Sequence, residues 1–286
     1  MWAIVAYRDA GLTSVLHPCP RHCIAVYHLP MTSPFNLDGR VAVVTGANTG
    51  IGQGIAVALA SAGADVALVG RSAAGETADR IRAIGRRTTL ITADLATAAP
   101  VRAIVDETVR TMGGLDILVN NAGIIRRADA LDFTEDDWDA VMNTNLKTAF
   151  FLCQAAGRVM VERFQRDGRR GKIINVASML SFQGGVRVPS YTASKSGLAG
   201  VTRLLANEWA GRGINVNALA PGYIATNNTA ALQADPTRNR QILERIPAGR
   251  WGTPEDLSGA AVFLASAASD YVHGHVLAVD GGWLAR

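Results

Sequence analysis

The stretch Val43-Val44-Thr45-Gly46-Ala47-Asn48-Thr49-Gly50-Ile51-Gly52 decides the fold, because an apolar run passes through a glycine-rich turn into a helical segment. Gly46 permits the tight turn, Gly50 lets the backbone approach a diphosphate, and Gly52 lets the helix pack closely on the strand. The helix N-terminus adds free N–H groups and a positive dipole end, both of which suit phosphate. A glycine turn can also be empty, but the strand–turn–helix context predicts a dinucleotide site.

Short apolar runs and longer helical stretches alternate through the rest of the chain. Most runs are continuously apolar, as expected for parallel strands that are buried on both faces. The predicted strands are 41–45, 65–69, 88–92, 117–120, 172–177, 215–220 and 276–279, and the predicted helices are 52–62, 77–84, 101–111, 135–164, 192–210 and 254–266. This alternation predicts an α/β fold, a single doubly wound Rossmann-type parallel sheet with helices on both faces.

The chain divides into an N-terminal extension and one domain. Charged residues and prolines interrupt the apolar pieces of residues 1–34, and Met31 precedes a normal domain start. We predict that Met31 is the natural initiator, that the extension is not essential and that residues 35–286 form the domain. Within it, the polar stretch of about 225–252 follows the sixth strand, where a lid over a ligand is expected.

Composition and charge argue against two classes of partner. The chain has 286 residues, 49% hydrophobic and 18% charged, with a net charge of +4. Its basic residues are nearly all scattered arginines, the lysines being Lys147, Lys172 and Lys195, so no basic block indicates nucleic-acid binding. No apolar run reaches the length of a membrane span, and no signal peptide is evident. We therefore predict no nucleic-acid partner and no membrane partner.

The cysteines indicate a reducing compartment. Cys19, Cys23 and Cys153 give no even-numbered disulfide framework, which fits a cytoplasmic protein. His17 and His22 lie close to two of them, but the spacing matches no closed zinc site. We predict no metal.

Six motifs, in order along the chain, carry a resemblance to a known family. They are Thr45-Gly-x-x-x-Gly-Ile-Gly52, Asn120-Asn-Ala-Gly123, Asn145, Ser178, Tyr191-x-x-x-Lys195 and Pro221-Gly222. Through them the chain resembles the short-chain dehydrogenase/reductase family over about residues 35–286. The resemblance implies an NAD(P)-dependent enzyme that interconverts a hydroxyl and a keto group. It also implies a homotetramer, with the helices 135–164 and 192–210 and the segment around Trp283 as candidate interfaces.

The end of the second strand bears on the form of the cofactor. A carboxylate there would bind the ribose 2′-hydroxyl and favour NAD(H), but Gly70 holds that place and Asp65 lies at the other end. Arg71 could pair with the 2′-phosphate of NADP(H). It could also stack on adenine and accept both forms, or remain a solvated surface residue. The residues themselves favour NADP, and the resemblance allows NAD.

The predicted cofactor residues combine the glycine-rich turn with positions taken from the resemblance. They are Gly46, Asn48, Gly50, Ile51, Gly52, Arg71, Asp94, Leu95, Asn121, Ala122, Gly123, Tyr191, Lys195, Pro221, Gly222, Ile224 and Thr226. By resemblance, Asp94 and Leu95 contact adenine, and Asn121 to Gly123 line the inner side of the cofactor. Pro221 and Gly222 close over the nicotinamide, and Thr226 reaches its carboxamide.

Tyr191 is the predicted acid/base. A free tyrosine has a pKa near ~10, too high for proton exchange at neutral pH, and an ammonium on the same helix face four residues later, Lys195, would lower it. Ser178 ends the fifth strand and can donate to the substrate oxygen, although it could also simply start a turn. By resemblance, Asn145 completes the catalytic set and holds a water that links Lys195 to solvent. Helical spacing alone does not choose between it and Asn143.

The loops expected around the substrate are polar and rich in arginine and amide side chains. Such groups suit a small hydroxyl-rich carboxylate, although several of these arginines could be surface residues. The predicted substrate residues are Ser178, Arg127, Gln183, Arg187 and Asn228. These runs resemble the part of the family that acts on sugar acids of the 2-deoxy-D-gluconate and 2-keto-3-deoxygluconate type, with gluconate 5-dehydrogenases nearby. The alternatives are a 3-oxoacyl carrier-protein reductase-like enzyme and a non-catalytic cofactor-sensing binding protein.

Overall fold

A computed structural model describes residues 33–286. The predictions for Met31 and for the cysteines and histidines of residues 17–23 concern residues outside that range. Residues Phe35–Arg286 form one compact unit. None of the helices in the described range is long and apolar enough to cross a membrane.

Seven parallel strands form one sheet, which confirms the predicted fold class. They are β1 (Val41–Thr45), β2 (Asp65–Gly70), β3 (Thr88–Thr92), β4 (Ile117–Asn120), β5 (Gly171–Val176), β6 (Ile214–Pro221) and β7 (Val276–Val279). Their order in the sheet is β3-β2-β1-β4-β5-β6-β7, so that the chain runs outward from β1 in both directions. The carboxyl ends of β1 and β4 therefore border the crevice in which doubly wound sheets bind ligands.

Helices cover both faces of the sheet. They are α1 (Gly50–Ser61), α2 (Gly75–Ala83), α3 (Val101–Met112), α4 (Glu135–Met142), α5 (Thr148–Asp167), α6 (Pro189–Trp209), α7 (Ala230–Ala234), α8 (Pro236–Arg245) and α9 (Ser258–Ala265). All five residues of β1 are buried. Val44 belongs to the core layer that contains Leu59 of α1, and its neighbour Val43 belongs to the opposite layer with Leu152 of α5. This alternation explains why the strand is apolar throughout.

The single helix predicted over 135–164 is wrong in one respect. The structure divides it into α4, a π-helical turn over Asn143–Lys147, and α5. Apolar periodicity continues through the turn, so the sequence pattern did not reveal the extra residue that a π turn accommodates. The turn is important because it carries Asn145.

Two other segments differ from the predicted pattern. The helix predicted over 254–266 begins as a 3₁₀ helix, Pro254–Leu257, before α9. The polar stretch 225–252 contains α7 and α8 and is not a plain loop. Asp235 accepts hydrogen bonds from the backbone N–H groups of Thr237 and Arg238, and Pro236 occupies the first helical position. Capping therefore starts α8 where apolar periodicity was too weak to show it.

Candidate active site

The glycine-rich turn between β1 and α1 has the geometry of a phosphate cradle. Gly46 and Gly50 adopt left-handed backbone conformations with φ of +65° and +57°. A Cβ at Gly52 would lie 2.1 Å from the carbonyl oxygen of Gly46, so no side chain fits there. The Asn121 amide donates to the carbonyls of Thr45 at 2.9 Å and Gly46 at 3.2 Å, which fixes the turn. The turn and the helix N-terminus fit a dinucleotide diphosphate.

The end of β2 offers a cation and no carboxylate. Gly70 is the last residue of β2, and the exposed Arg71 follows it with no ion pair or side-chain hydrogen bond to any residue of 33–286. The Asn48 amide donates to the Ser72 hydroxyl at 2.9 Å and links this strand end to the glycine-rich turn. Asp65, at the start of β2, is bound to the side chain of Arg87 at 2.8 Å. The geometry leaves Arg71 free to meet a ribose 2′-phosphate.

The segments after β3 and β4 line the same crevice. The Asp94 carboxylate accepts the backbone N–H of Ala96 at 3.0 Å, while Leu95 is buried in the core. The Ala122 N–H donates to the Thr45 hydroxyl at 3.0 Å, which ties the β4 end to the β1 end. A Cβ at Gly123 would lie 3.2 Å from the Asn145 oxygen and 3.8 Å from the Lys195 amine. Gly123 therefore lies against two of the predicted catalytic residues.

The remaining predicted cofactor residues lie on either side of this crevice. Ile51 packs against the core beneath the glycine-rich turn. Pro221 is the last residue of β6, and a Cβ at Gly222 would lie 2.5 Å from the Cα of Asp280. Thr226 faces the glycine-rich turn, with its methyl carbon 3.3 Å from a Cβ built on Gly50.

Tyr191, Ser178 and Lys195 meet at the carboxyl end of β5. Pro189 starts α6 earlier than predicted, so Tyr191 lies within its first turn. The Lys195 amine donates to the carbonyl of Val176 at 2.6 Å and lies 5.6 Å from the centre of the Tyr191 ring. Burial lowers the pKa of Lys195 to about 8. The amine thus stays largely protonated at neutral pH but releases its proton readily.

The structure corrects the expectation that Lys195 lowers the pKa of Tyr191. Burial raises the pKa of Tyr191 above its usual value, and the groups that lower it are the Ser178 hydroxyl and the positive charge of Arg127. The pKa is raised because desolvation of the phenolate outweighs these two favourable neighbours.

Asn145 lies in the π turn with its side chain fully engaged. Its oxygen accepts the N–H of Ile124 at 2.8 Å, and its nitrogen donates to the Ile124 carbonyl at 2.9 Å and to the Ser194 hydroxyl at 3.3 Å. Asn145 is 1% exposed, whereas Asn143 is only half-buried. The structure therefore brings Asn145, and not its competitor, against the strand end that carries Gly123. The water between Asn145 and Lys195 stays a prediction.

The predicted substrate residues fall into two groups, with Arg127, Arg187 and Asn228 linked through one segment and Gln183 linked to Arg245. The Arg127 guanidinium donates to the carbonyl of Asn228 at 3.3 Å, so the β4–α4 segment touches the start of the 225–252 stretch. The carbonyl of Arg187 accepts the N–H of Ala128 at 3.2 Å. Arg187 also has a φ of +63°, an unfavourable backbone conformation for a residue with a side chain. Gln183 contacts Arg245 across the cleft, at 3.4 Å.

The 225–252 stretch is closed at its base. Ile224 and Gly252 form a parallel bridge in which Ala225 donates to the Gly252 carbonyl at 2.8 Å and Gly252 donates to the Tyr223 carbonyl at 2.9 Å. Ile224 is buried, and its Cδ1 lies 2.5 Å from a Cβ built on Gly252, so the two residues pack closely at the bridge. The stretch, which includes α7 and α8, therefore has fixed ends beside the crevice.

Comparison with known proteins identifies the family. Residues 46–284 match the family model described as Enoyl-(Acyl carrier protein) reductase. The chain is 60% identical over 254 residues to 2-dehydro-3-deoxy-D-gluconate 5-dehydrogenase of Escherichia coli (strain K12), a match that covers 89% of this chain and 99% of the relative. The chain belongs to the short-chain dehydrogenase/reductase family.

Solved structures of other short-chain dehydrogenases/reductases share the fold closely. One from Agrobacterium tumefaciens, named as a 2-deoxy-D-gluconate 3-dehydrogenase with bound NADP, has a TM-score of 0.83 and 60% identity, covering 89% of this chain and 100% of its own. A gluconate 5-dehydrogenase from Burkholderia cenocepacia, in complex with NADP and tartrate, has a TM-score of 0.83 and 42% identity, covering 88% and 98%.

Two features of this short-chain dehydrogenase/reductase site were missed by sequence reasoning. The Asn120 amide donates to the Asn175 oxygen at 2.9 Å, and Asn175 donates to the Thr202 hydroxyl at 2.9 Å, so a buried polar chain joins β4, β5 and α6. Polar residues inside otherwise apolar strands were the available signal. Arg245 was also missed, because nothing in its spacing indicates that the end of α8 faces the cleft.

Proposed function

We propose that this protein is an NAD(P)-dependent oxidoreductase that interconverts a hydroxyl and a keto group on a small sugar acid. The observation that carries the proposal is the meeting of Tyr191, Ser178 and Lys195 at the end of β5, beside a glycine-rich turn shaped for a diphosphate. We assign catalysis to these three residues together with Asn145. The cofactor assignment keeps the residues predicted from sequence.

Tyr191, Ser178 and Lys195 divide the chemistry among them. When bound, the nicotinamide supplies the hydride acceptor for oxidation and the hydride donor for reduction. Tyr191 takes the proton from the substrate hydroxyl during oxidation and returns it during reduction. The Ser178 hydroxyl steadies the substrate oxygen, because it already interacts with the phenol. Lys195, whose pKa burial lowers to about 8, returns a proton to Tyr191 after reduction and receives the proton from Tyr191 after oxidation, exchanging it with solvent.

The substrate class is supported by the relatives and by the charge of the cleft. The Escherichia coli relative is named for 2-dehydro-3-deoxy-D-gluconate, and the Agrobacterium structure for 2-deoxy-D-gluconate. We propose that this chain acts on the same kind of deoxy-hexonate. The guanidinium of Arg127 affects the pKa of Tyr191 and so lies near the reacting end. We place Gln183, Arg187 and Asn228 around the same substrate.

The form of the cofactor is proposed to be NADP, with NAD accepted less well. The support is the free guanidinium of Arg71 at the end of β2 and the bound NADP in two related structures. No carboxylate follows β2 to repel a 2′-phosphate, since Gly70 ends the strand.

The two alternative functions, a carrier-protein reductase and a binding protein, have less support. The first is suggested by the description of the family model, but the relatives matched over nearly their whole length are named as sugar-acid dehydrogenases. A binding protein would not need the catalytic quartet, which this chain retains complete.

We also propose the domain organisation, the compartment and the oligomeric state of the protein. The catalytic domain spans 35–286 with a lid at about 225–252, and residues 1–34 are a non-essential extension. In support, 89% of this chain matches 99% of the Escherichia coli relative. A cytoplasmic homotetramer is our further expectation, on the cysteine usage and the family resemblance.

The test is a panel of sugar acids and their keto forms with NADP(H) and NAD(H), followed at the nicotinamide absorbance. We expect turnover of a deoxy-hexonate, and Tyr191→Phe should lower kcat at least about a hundredfold. The matched control is Tyr271→Phe, because Tyr271 is fully exposed. Turnover of acetoacetyl thioesters alone would favour the carrier-protein reductase, and cofactor binding without any turnover would favour the binding protein.

A further inference from the structure

The arginines around the cleft fall into two groups. Arg126 is paired with Asp137 at 3.1 Å, and Arg250 makes two bonds to Asp256 at 2.6 and 2.7 Å. The hydrogen bonds from Arg250 lower the pKa of Asp256 to about 2, so that pair is charged at neutral pH. Within residues 33–286, no carboxylate lies at ion-pair distance from the other three, Arg127, Arg187 and Arg245. Only these three offer a charge that is not already compensated.

Arg245 is the best held of the three. It is the last residue of α8, and its guanidinium lies 4.0 Å from the centre of the Trp283 ring. The Arg286 side chain donates to the carbonyl of Arg245 at 3.2 Å and to that of Glu244 at 2.5 Å, which fixes the end of the helix. A guanidinium stacked on an aromatic ring has a defined plane, so less conformational entropy is lost when it binds a carboxylate.

Arg245 reaches the catalytic side of the cleft through Gln183. Its Nη2 donates to the Gln183 side-chain oxygen at 3.4 Å, a long bond to a neutral partner. The Gln183 N–H donates to the carbonyl of Met179 at 3.2 Å, and Met179 is the first residue of the 3₁₀ turn that Ser178 caps. Because the amide oxygen faces Arg245, the amide NH₂ group stays available as a donor to a ligand.

We propose that Arg245, together with the amide of Gln183, binds the carboxylate of the sugar-acid substrate and so selects acids over neutral polyols. The inference rests on the proposed function and names the end of the substrate that the lid recognises. A carboxylate forms two short, charge-assisted bonds with a guanidinium, which are stronger than the present 3.4 Å bond to an amide. In this arrangement Arg127 lies near the end of the substrate that reacts, and Arg245 binds the carboxylate at the other end.

The experiment compares an acid with its uncharged derivative. In Arg245→Gln, we expect KM for the deoxy-hexonate to rise roughly 10- to 100-fold, because one charge-assisted interaction with the substrate is lost. The value of kcat should change less than about threefold. KM for the primary amide of the same acid should not change. Arg245→Lys should recover part of the affinity. The matched control is Arg240→Gln, since Arg240 lies on the same helix, 73% exposed, paired with Glu244.

Three results would overturn the assignment. An equal rise of KM for the acid and its amide would indicate a packing role on the lid, as would a loss of kcat with KM unchanged. A rise of KM in the Arg240→Gln control would point to the general charge of α8. If the wild-type protein turns over no sugar acid, the proposed function fails instead. Calorimetric titration of the NADP-loaded protein with tartrate then tests the carboxylate site by itself. Loss of tartrate binding in Arg245→Gln would support the site, and equal binding by the variant and the wild-type protein would refute it.

Discussion

Replacing Gly52 with alanine places a methyl group 2.1 Å from the carbonyl oxygen of Gly46 and 2.4 Å from the side-chain nitrogen of Asn121. Both neighbours are fixed, one by the backbone and the other by its hydrogen bonds to Thr45 and Gly46. Relief of the overlap requires the turn to move by roughly 1 Å, since a methyl carbon needs more than about 3 Å from an oxygen. The phosphate-facing N–H groups move with the turn.

The expected loss follows from those N–H groups. A hydrogen bond to a charged phosphate is worth about 1.5–3 kcal/mol, so losing one lowers NADPH affinity about 10- to 100-fold. Overpacking also lowers the free energy of unfolding by about 1–3 kcal/mol. Fluorescence titration measures the affinity, and urea denaturation measures the stability.

The control variant is Gly54→Ala, on the same helix. Its Cβ would lie 2.8 Å from the Cβ of Pro254, away from the glycine-rich turn. It should lower the stability while leaving NADPH affinity within about twofold. If Gly52→Ala binds NADPH as tightly as the wild-type protein, the close approach of helix and turn does not shape the cofactor site.

Three further predictions concern charge. Arg127→Gln removes a positive charge that lowers the pKa of Tyr191, so the increase of kcat for oxidation with pH should move to higher pH. An unchanged profile of kcat against pH would show that the guanidinium does not act on the phenol. Arg71→Ala should raise KM for NADP(H) and spare NAD(H), as measured by steady-state kinetics with both forms; equal effects would contradict a 2′-phosphate contact. The side chain of Asp116 is 1% exposed and lies 3.0–3.4 Å from three guanidiniums. Asp116→Asn should therefore lower the free energy of unfolding, measured by urea titration, by about 2–4 kcal/mol. The control is the exposed Asp79→Asn, which should change that free energy by no more than about 0.5 kcal/mol.

The five central strands were predictable because they are buried on both faces, whereas β3 and β7, at the two edges of the sheet, are only partly buried. β1, β3, β4 and β7 begin and end at the predicted residues, and the others differ by one residue at one or both ends. Short apolar runs between turn residues indicate such strands, because the helical stretches of this chain are longer. The glycine-rich turn was equally clear, because Gly46 and Gly50 adopt the left-handed conformations that such a turn needs.

The parts that sequence reasoning missed depend on tertiary contacts. The π turn at Asn143–Lys147 brings Asn145 to the main chain of Ile124, which no helical periodicity can reveal. The raised pKa of Tyr191 results from burial, which does not follow from a spacing of four residues. Arg245 becomes visible only once Trp283 and Gln183 are placed beside it.

The bridge between Ile224 and Gly252 has a consequence for how specificity can change over time. Hydrogen bonds hold the two ends of the intervening segment together, so insertions or deletions between them place no tension on the sheet. The segment can thus change in length between homologues, provided that the bridge between Ile224 and Gly252 is kept. Changes within the segment can alter which sugar is accepted without moving Tyr191, Ser178 and Lys195, which lie outside it.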